Sequence, residues 1–202
     1  MKTLILSVLF GTALTAAGVG IFDSDGSVGE TPKKGSAEYN AAAGEYRVTG
    51  GGANIWAATD AFHFVWKRLS GDVTLTADVQ FSGAGAVAHR KAVLMVRQTL
   101  EADSPYADVA LHGDGLTSLQ FRPTTGAITQ EMRSPVTAPL RIRIERRGEQ
   151  FTMYAGKAGE ELKSTGTAIV ALKDPVYVGL GVCSHNADNL ETAVFSNVKI
   201  EK

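Results

Sequence analysis

Short runs that alternate apolar with polar residues, each closed by a turn signal, follow one another along almost the whole chain. "EYRVTG", "FHFVWKRL", "DVTLTADVQF", "KAVLMVRQ", "YADVALH", "TSLQFR", "LRIRIERR", "QFTMYAG", "TAIVAL", "VYVGLGVCS" and "TAVFSNVKI" are rich in Val, Ile, Phe, Tyr and Thr. Between them stand "GGG", "LSGD", "HGDG", "RRGE", "AGKAGE" and "LKDP". A period of two sends successive side chains to opposite faces of a strand, and branched and aromatic residues suit that pleated surface. No stretch after the first 17 residues repeats apolar residues at helical spacing. A chain punctuated this often predicts an all-β protein, a two-sheet antiparallel β-sandwich.

Two hairpins show the faces most clearly. In "YADVALHGDGLTSLQFR", Val109, Leu111, Leu119 and Phe121 share one face, and Asp108, His112, Ser118, Gln120 and Arg122 the other. In "LRIRIERRGEQFTMY", Leu140, Ile142, Ile144, Phe151 and Met153 point inward, while Arg141, Arg143, Glu145 and Thr152 form a solvated face of mixed charge. In "DAFHFVWK", Phe62, Phe64 and Trp66 take one face as core packing, and His63, Val65 and Lys67 take the other.

The N-terminal "MKTLILSVLFGTALTAA", residues 1–17, has a lysine near its start, an apolar run and small residues at its end. It reads as a cleaved export signal, leaving 18–202 as one secreted or periplasmic domain. Its apolar run, Leu4 to Phe10, is shorter than the roughly 20 residues a membrane-spanning helix needs. A formal net charge of -1 gives nucleic acid nothing to hold. Cys183 is the only cysteine, so no intramolecular disulfide forms and the domain rests on its core.

Four blocks, "GGGANIWAATDAFHFVWKRLSGDVTLTADV", "AVLMVRQTLEADSPYADVALHGDGLTSLQFR", "RIRIERRGEQFTMYAG" and "VYVGLGVCSHNADNLETAVFSNVKI", occur in that order. Together they resemble the concanavalin A-like lectin/glucanase superfamily in its laminin-G-like form. More narrowly, they are similar to a bacterial secreted domain found ahead of TolB-like β-propellers. The resemblance implies a jelly roll whose concave sheet binds carbohydrate or another extracellular polymer.

On such a sheet the candidate ligand-binding residues are Arg97, Asp108, His112, Gln120 and Arg122, whose planar or charged groups hydrogen-bond sugar hydroxyls or carboxylates. Trp56 and Tyr106 offer an aromatic platform, and His63 turns toward the same groove as Arg97 and His112. Two alternatives stand beside these readings. Arg97, Asp108 and Arg122 form an ion-pair network that fastens strands, and Trp56 plugs the end of the sandwich.

No cofactor is required by these features. "FDSDGSVGE" gathers Asp23 and Asp25 with Ser27 and Glu30, hard oxygen ligands that suit calcium, and the resemblance implies a structural calcium. The loop "SHNADN" is a second such candidate. Glucanases of this fold use E-x-D-x-x-E on a strand; here Glu101 and Asp103 match, but Tyr106 replaces the second glutamate and Pro105 indicates a loop. His63, His89, His112 and His185 each lie on a different segment, and no local zinc or nucleophile motif is present. The expectation is a non-catalytic carbohydrate-binding module, with a carbohydrate-active enzyme and a protein-interaction domain as alternatives.

Overall fold

The structure is a computed structural model that describes residues 19–85 and 87–202; the export-signal reading of residues 1–17 lies outside them. Two seven-stranded antiparallel sheets face each other. The front sheet runs β1 (Ser24–Val28), β6 (Phe62–Leu69), β15 (Val176–Cys183), β8 (Lys91–Arg97), β9 (Tyr106–His112), β10 (Thr117–Arg122), β11 (Gln130–Arg133). The back sheet runs β14 (Lys163–Ile169), β13 (Gln150–Gly156), β12 (Arg141–Arg147), β7 (Val73–Phe81), β16 (Glu191–Glu201), β3 (Glu45–Gly50), β2 (Ser36–Asn40). A small hairpin, β4 (Ile55–Trp56) and β5 (Thr59–Asp60), stands apart from both. No helix forms among the described residues, and the chain is an all-β sandwich.

The main core lies between the sheets, where the alternating apolar residues of both meet. Val65, Leu94, Val109 and Leu180 of the front sheet pack with Leu75, Ile144, Phe151 and Phe195 of the back sheet. The two hairpins have the facing that alternation dictates: Val109 pairs with Leu119 on the core side, and Asp108 with Gln120 on the other. Ile144 pairs with Met153 in the same way.

Within the segment "FDSDGSVGE", Ser24–Val28 forms the edge strand β1, paired with β6 from Ser24↔Trp66 to Val28↔Phe62. Carboxylates of the segment serve that pairing. Asp23 accepts hydrogen bonds from the Arg68 amide at 2.9 Å and Lys67 Nζ at 3.2 Å, and Asp25 is bonded to His63 Nε2 at 2.9 Å. No cluster of His, Cys, Asp and Glu suited to a metal ion occurs among the described residues.

The aromatic run on β6 also needs correcting. Phe62 and Phe64 are buried, yet they lie on the outer face of the front sheet, in a second apolar cluster with Ile55, Val93, Met95, Tyr106 and Ala110. His63 therefore points the opposite way, toward the space between the sheets, and does not share a groove with Arg97 and His112. It packs against Gly35 and Gly50, positions where a Cβ would stand 2.5 Å and 3.1 Å from the imidazole side chain.

The covering of that outer face shapes the molecule. Every residue of β8, β9 and β10 is buried, although alternation alone would leave half of them to solvent. The β4–β5 hairpin lies across them and drives Ile55 into the second cluster. Its turn places Ala57 at φ 51°, a left-handed value that alanine rarely adopts. The Ala57 carbonyl is held by Thr129 Oγ1 at 3.0 Å and Arg122 Nη2 at 3.1 Å, which offsets that cost.

Candidate functional site

Alternation on the front sheet sends a row of polar residues to the outer face, and the hairpin then decides which of them stay accessible. Arg97 and Arg122 do not. Arg122 donates to both carboxylate oxygens of Asp60, at 2.9 Å and 2.7 Å, and to the Ser104 carbonyl at 3.0 Å. Arg97 sits 3.5 Å from the same carboxylate and donates to the carbonyls of Thr99 and Glu101. All three side chains are withdrawn from water, so this cluster fastens the hairpin and the 99–104 loop onto the sheet. Tyr106 is also buried, with its hydroxyl 3.1 Å from Thr129 Oγ1 and its ring beneath the Arg122 guanidinium. The strand-fastening network exists, but its acid is Asp60 rather than Asp108.

Beside the hairpin the face opens into a cavity of about 230 Å3. Trp56 from β4, Lys91 from β8, His112 from β9, Gln120 from β10 and Glu131 with Arg133 from β11 line it. Loop residues His89 and His185 complete the wall, so histidines distant in sequence meet here. The His89 ring centroid is 5.7 Å from that of His112 and 5.8 Å from that of His185. Of the residues expected to bind ligand, the structure gathers Trp56, His112 and Gln120. It buries Arg97, Tyr106, Asp108 and Arg122, and sends His63 elsewhere.

The floor is polar and buried. Lys91, 2% exposed, donates from Nζ to Asn54 Oδ1 at 2.7 Å and to the Ile55 carbonyl at 2.8 Å, and lies 5.5 Å from the centre of the Trp56 ring. Burial lowers its pKa, opposed chiefly by the carboxyl of Asp108. Asp108, paired across the strands with Gln120, has neither oxygen hydrogen-bonded among the described residues. An ionised carboxylate in that position would be costly, and burial accordingly raises its pKa well above the ordinary value.

Burial and then the Lys91 charge push His112 down to about 4, so its imidazole is neutral at pH 7. With the Leu116 carbonyl 3.0 Å from Nδ1, the tautomer places the proton there and leaves Nε2 as an acceptor. Gln120 is 1% exposed; its Nε2 donates to Ser118 and Glu131, and its Oε1 has no hydrogen-bond partner among the described residues. A buried amide oxygen at a cavity wall is an acceptor held ready for an incoming donor. The Nδ1 of His185 is likewise buried and unpartnered, on a residue whose backbone is left-handed at φ 56°.

Lys91, His89 and Glu131 were not legible as site residues, and His185 was singled out only within the "SHNADN" loop as a calcium candidate. Their meeting depends on loops and on strands far apart in sequence. The signal available was a lysine opening an otherwise apolar strand, "KAVLMVR", which requires a dedicated polar partner when that strand is central.

No protein-family model matches this chain, and no curated protein matches it either. Solved structures match it at low identity. A functionally unknown protein from Saccharomyces cerevisiae superposes with a TM-score of 0.64 at 18% identity, covering 82% of this chain and 91% of the other. The carbohydrate-binding module CBM66 from Bacillus subtilis gives 0.55 at 14%, covering 92% and 100%. Lectin II from Ulex europaeus gives 0.52 at 13%, covering 89% and 98%. At such identities the likeness is one of fold alone, that of a jelly-roll β-sandwich.

Proposed function

We propose that this protein is an exported carbohydrate-binding module that takes a sugar into the cavity beside Trp56 and releases it unchanged. The observation that carries the reading is Gln120, a residue of the cavity wall whose buried Oε1 has no hydrogen-bond partner among the described residues. A sugar hydroxyl is the complementary donor. His112 Nε2 and the Glu131 carboxylate supply further acceptors, and Trp56 presents an indole to the C–H side of a ring. The fold shared with a carbohydrate-binding module and a lectin supports the same reading. The narrower kinship with secreted domains that precede TolB-like propellers belongs to it as well.

The lining argues for binding over turnover. Glycoside hydrolysis by the common route needs two carboxyl groups across the bond, and Glu131 is the one carboxylate among the described lining residues. His112 shares the cavity with Glu131, but an imidazole depressed to about 4 is a weak general base at neutral pH.

A broad glycan array followed by calorimetry, with and without calcium, tests the proposal. Binding that is lost in Gln120→Leu and His185→Ala supports it. Absence of any glycan ligand would overturn it, and release of reducing or unsaturated sugar by the wild-type protein would replace it with an enzyme.

A further inference from the structure

Trp56 borders two depressions. On one side is the histidine-lined cavity, and on the other a larger trough of about 600 Å3. Pro32, Ala53, Ala57, Ala61, Ala102 and Ala187 give the trough a wall of methyl groups and backbone, and Asn54 and Trp56 belong to both. Asp60 reaches it too, but that carboxylate is committed to Arg122 and Arg97; Glu30 stands exposed at the margin.

We infer that the ligand continues past Trp56 into this trough, so that the site reads two consecutive units of a glycan. The inference rests on the carbohydrate reading above and gives it a length requirement. A cavity of about 230 Å3 is smaller than the usual small-molecule site of roughly 300–1,000 Å3, and has room for little more than one sugar ring. Its walls are polar and orient that ring. The trough has the opposite character: small apolar side chains let a second ring come close, and its C–H side finds a matching surface there. The shared tryptophan makes the two depressions parts of one path. Lys91, with Nζ 5.5 Å from the centre of the indole, lines the cavity and not the trough, which makes the cavity the polar end.

The test uses the full chain and the monosaccharide, disaccharide and trisaccharide of the glycan that binds best on the array. The disaccharide should bind about tenfold more tightly than the monosaccharide, a difference of about 1.4 kcal/mol. The third unit should add little. Ala187→Trp and Ala53→Trp, at a partly buried and an exposed position, fill the trough with an indole. Both should abolish the gain from the second unit while leaving the monosaccharide affinity and the melting temperature unchanged.

An affinity that does not rise with length, or a rise that persists in both variants, overturns the inference and leaves the carbohydrate reading standing. Failure of every glycan to bind defeats both. Capture of a fatty acid or an apolar peptide by the trough, blocked by Ala187→Trp and indifferent to sugar, assigns it to another ligand and likewise overturns the inference.

Discussion

Arg122 grips Asp60 through two hydrogen bonds, Nη1 to Oδ2 at 2.9 Å and Nη2 to Oδ1 at 2.7 Å, with neither side chain in contact with water. Asp60 ends β5, so this pair holds the hairpin that roofs the front sheet.

Removing the guanidinium leaves the carboxylate with Arg97, at 3.5 Å, as its remaining ion-pair partner among the described residues. Breaking one partner of a buried pair costs about 3–5 kcal/mol. Arg122→Leu is expected to lower the unfolding free energy by about that amount in urea titrations, against under about 0.5 kcal/mol for the exposed Arg68→Leu. A loss below about 1 kcal/mol for Arg122→Leu would show that the pair does not secure the hairpin.

Gly181 of β15 faces the second apolar cluster. A Cβ there would stand 2.8 Å from Val93 Cγ2 and 2.9 Å from the Phe62 ring. Both neighbours are buried and packed, so Gly181→Ala should cost about 1–3 kcal/mol as overpacking. Thermal unfolding measures it, and an unchanged melting temperature would mean the Phe62 ring moves freely aside.

Acid sensitivity follows from His112. Its folded pKa of about 4 lies below the ordinary 6.5, so between those values the unfolded chain takes up a proton that the folded chain refuses. The contribution is complete above pH ~6.5 and is lost as pH falls toward 4, at most about 3 kcal/mol. The raised pKa of Asp108 acts in the opposite sense over this range, because its contribution shrinks as pH rises. The readout is therefore a difference: His112→Gln should flatten the fall in stability between pH 7 and pH 4.5. Parallel pH profiles for wild type and variant would refute the assignment.

The two tryptophans should separate binding from stability. Trp56 lines the cavity, so Trp56→Ala is expected to weaken glycan binding about tenfold. Trp66 lies on the same face of the front sheet, across from the cavity on β6, stacked on Phe64 with centroids 5.8 Å apart. Trp66→Ala should lower stability by about 1–3 kcal/mol and leave affinity unchanged. Calorimetric titration and melting of both variants decide this, and equal losses of affinity would move the site toward β6.

The faces of the strands were legible because alternation is a local property. That Val109 and Leu119 share one face and Asp108 and Gln120 the other could be read from the "YADVALHGDGLTSLQFR" hairpin alone, and the structure adds the exact partners, Val109 with Leu119 and Asp108 with Gln120. The strand β1 was not legible, since "SDGSV" has little apolar character and exists as an edge only because β6 offers it a partner. The β4–β5 hairpin was hidden for a related reason: its turn at Ala57 carries neither Asn nor Gly and is stabilised by Arg122 and Thr129 from elsewhere in the chain.

The sequence by itself determined the all-β architecture and which residues share a face, because a period of two needs no knowledge of distant contacts. On β6 it did not say which face would be inner. Phe62, Phe64 and Trp66 are apolar enough for the main core, yet the tertiary structure turns them outward and sends His63 between the sheets. The same packing withdrew Arg97 and Arg122 from any ligand and opened a cavity at His112 and Gln120. A short hairpin makes that division, since burial and accessibility on one sheet face depend on what lies across it.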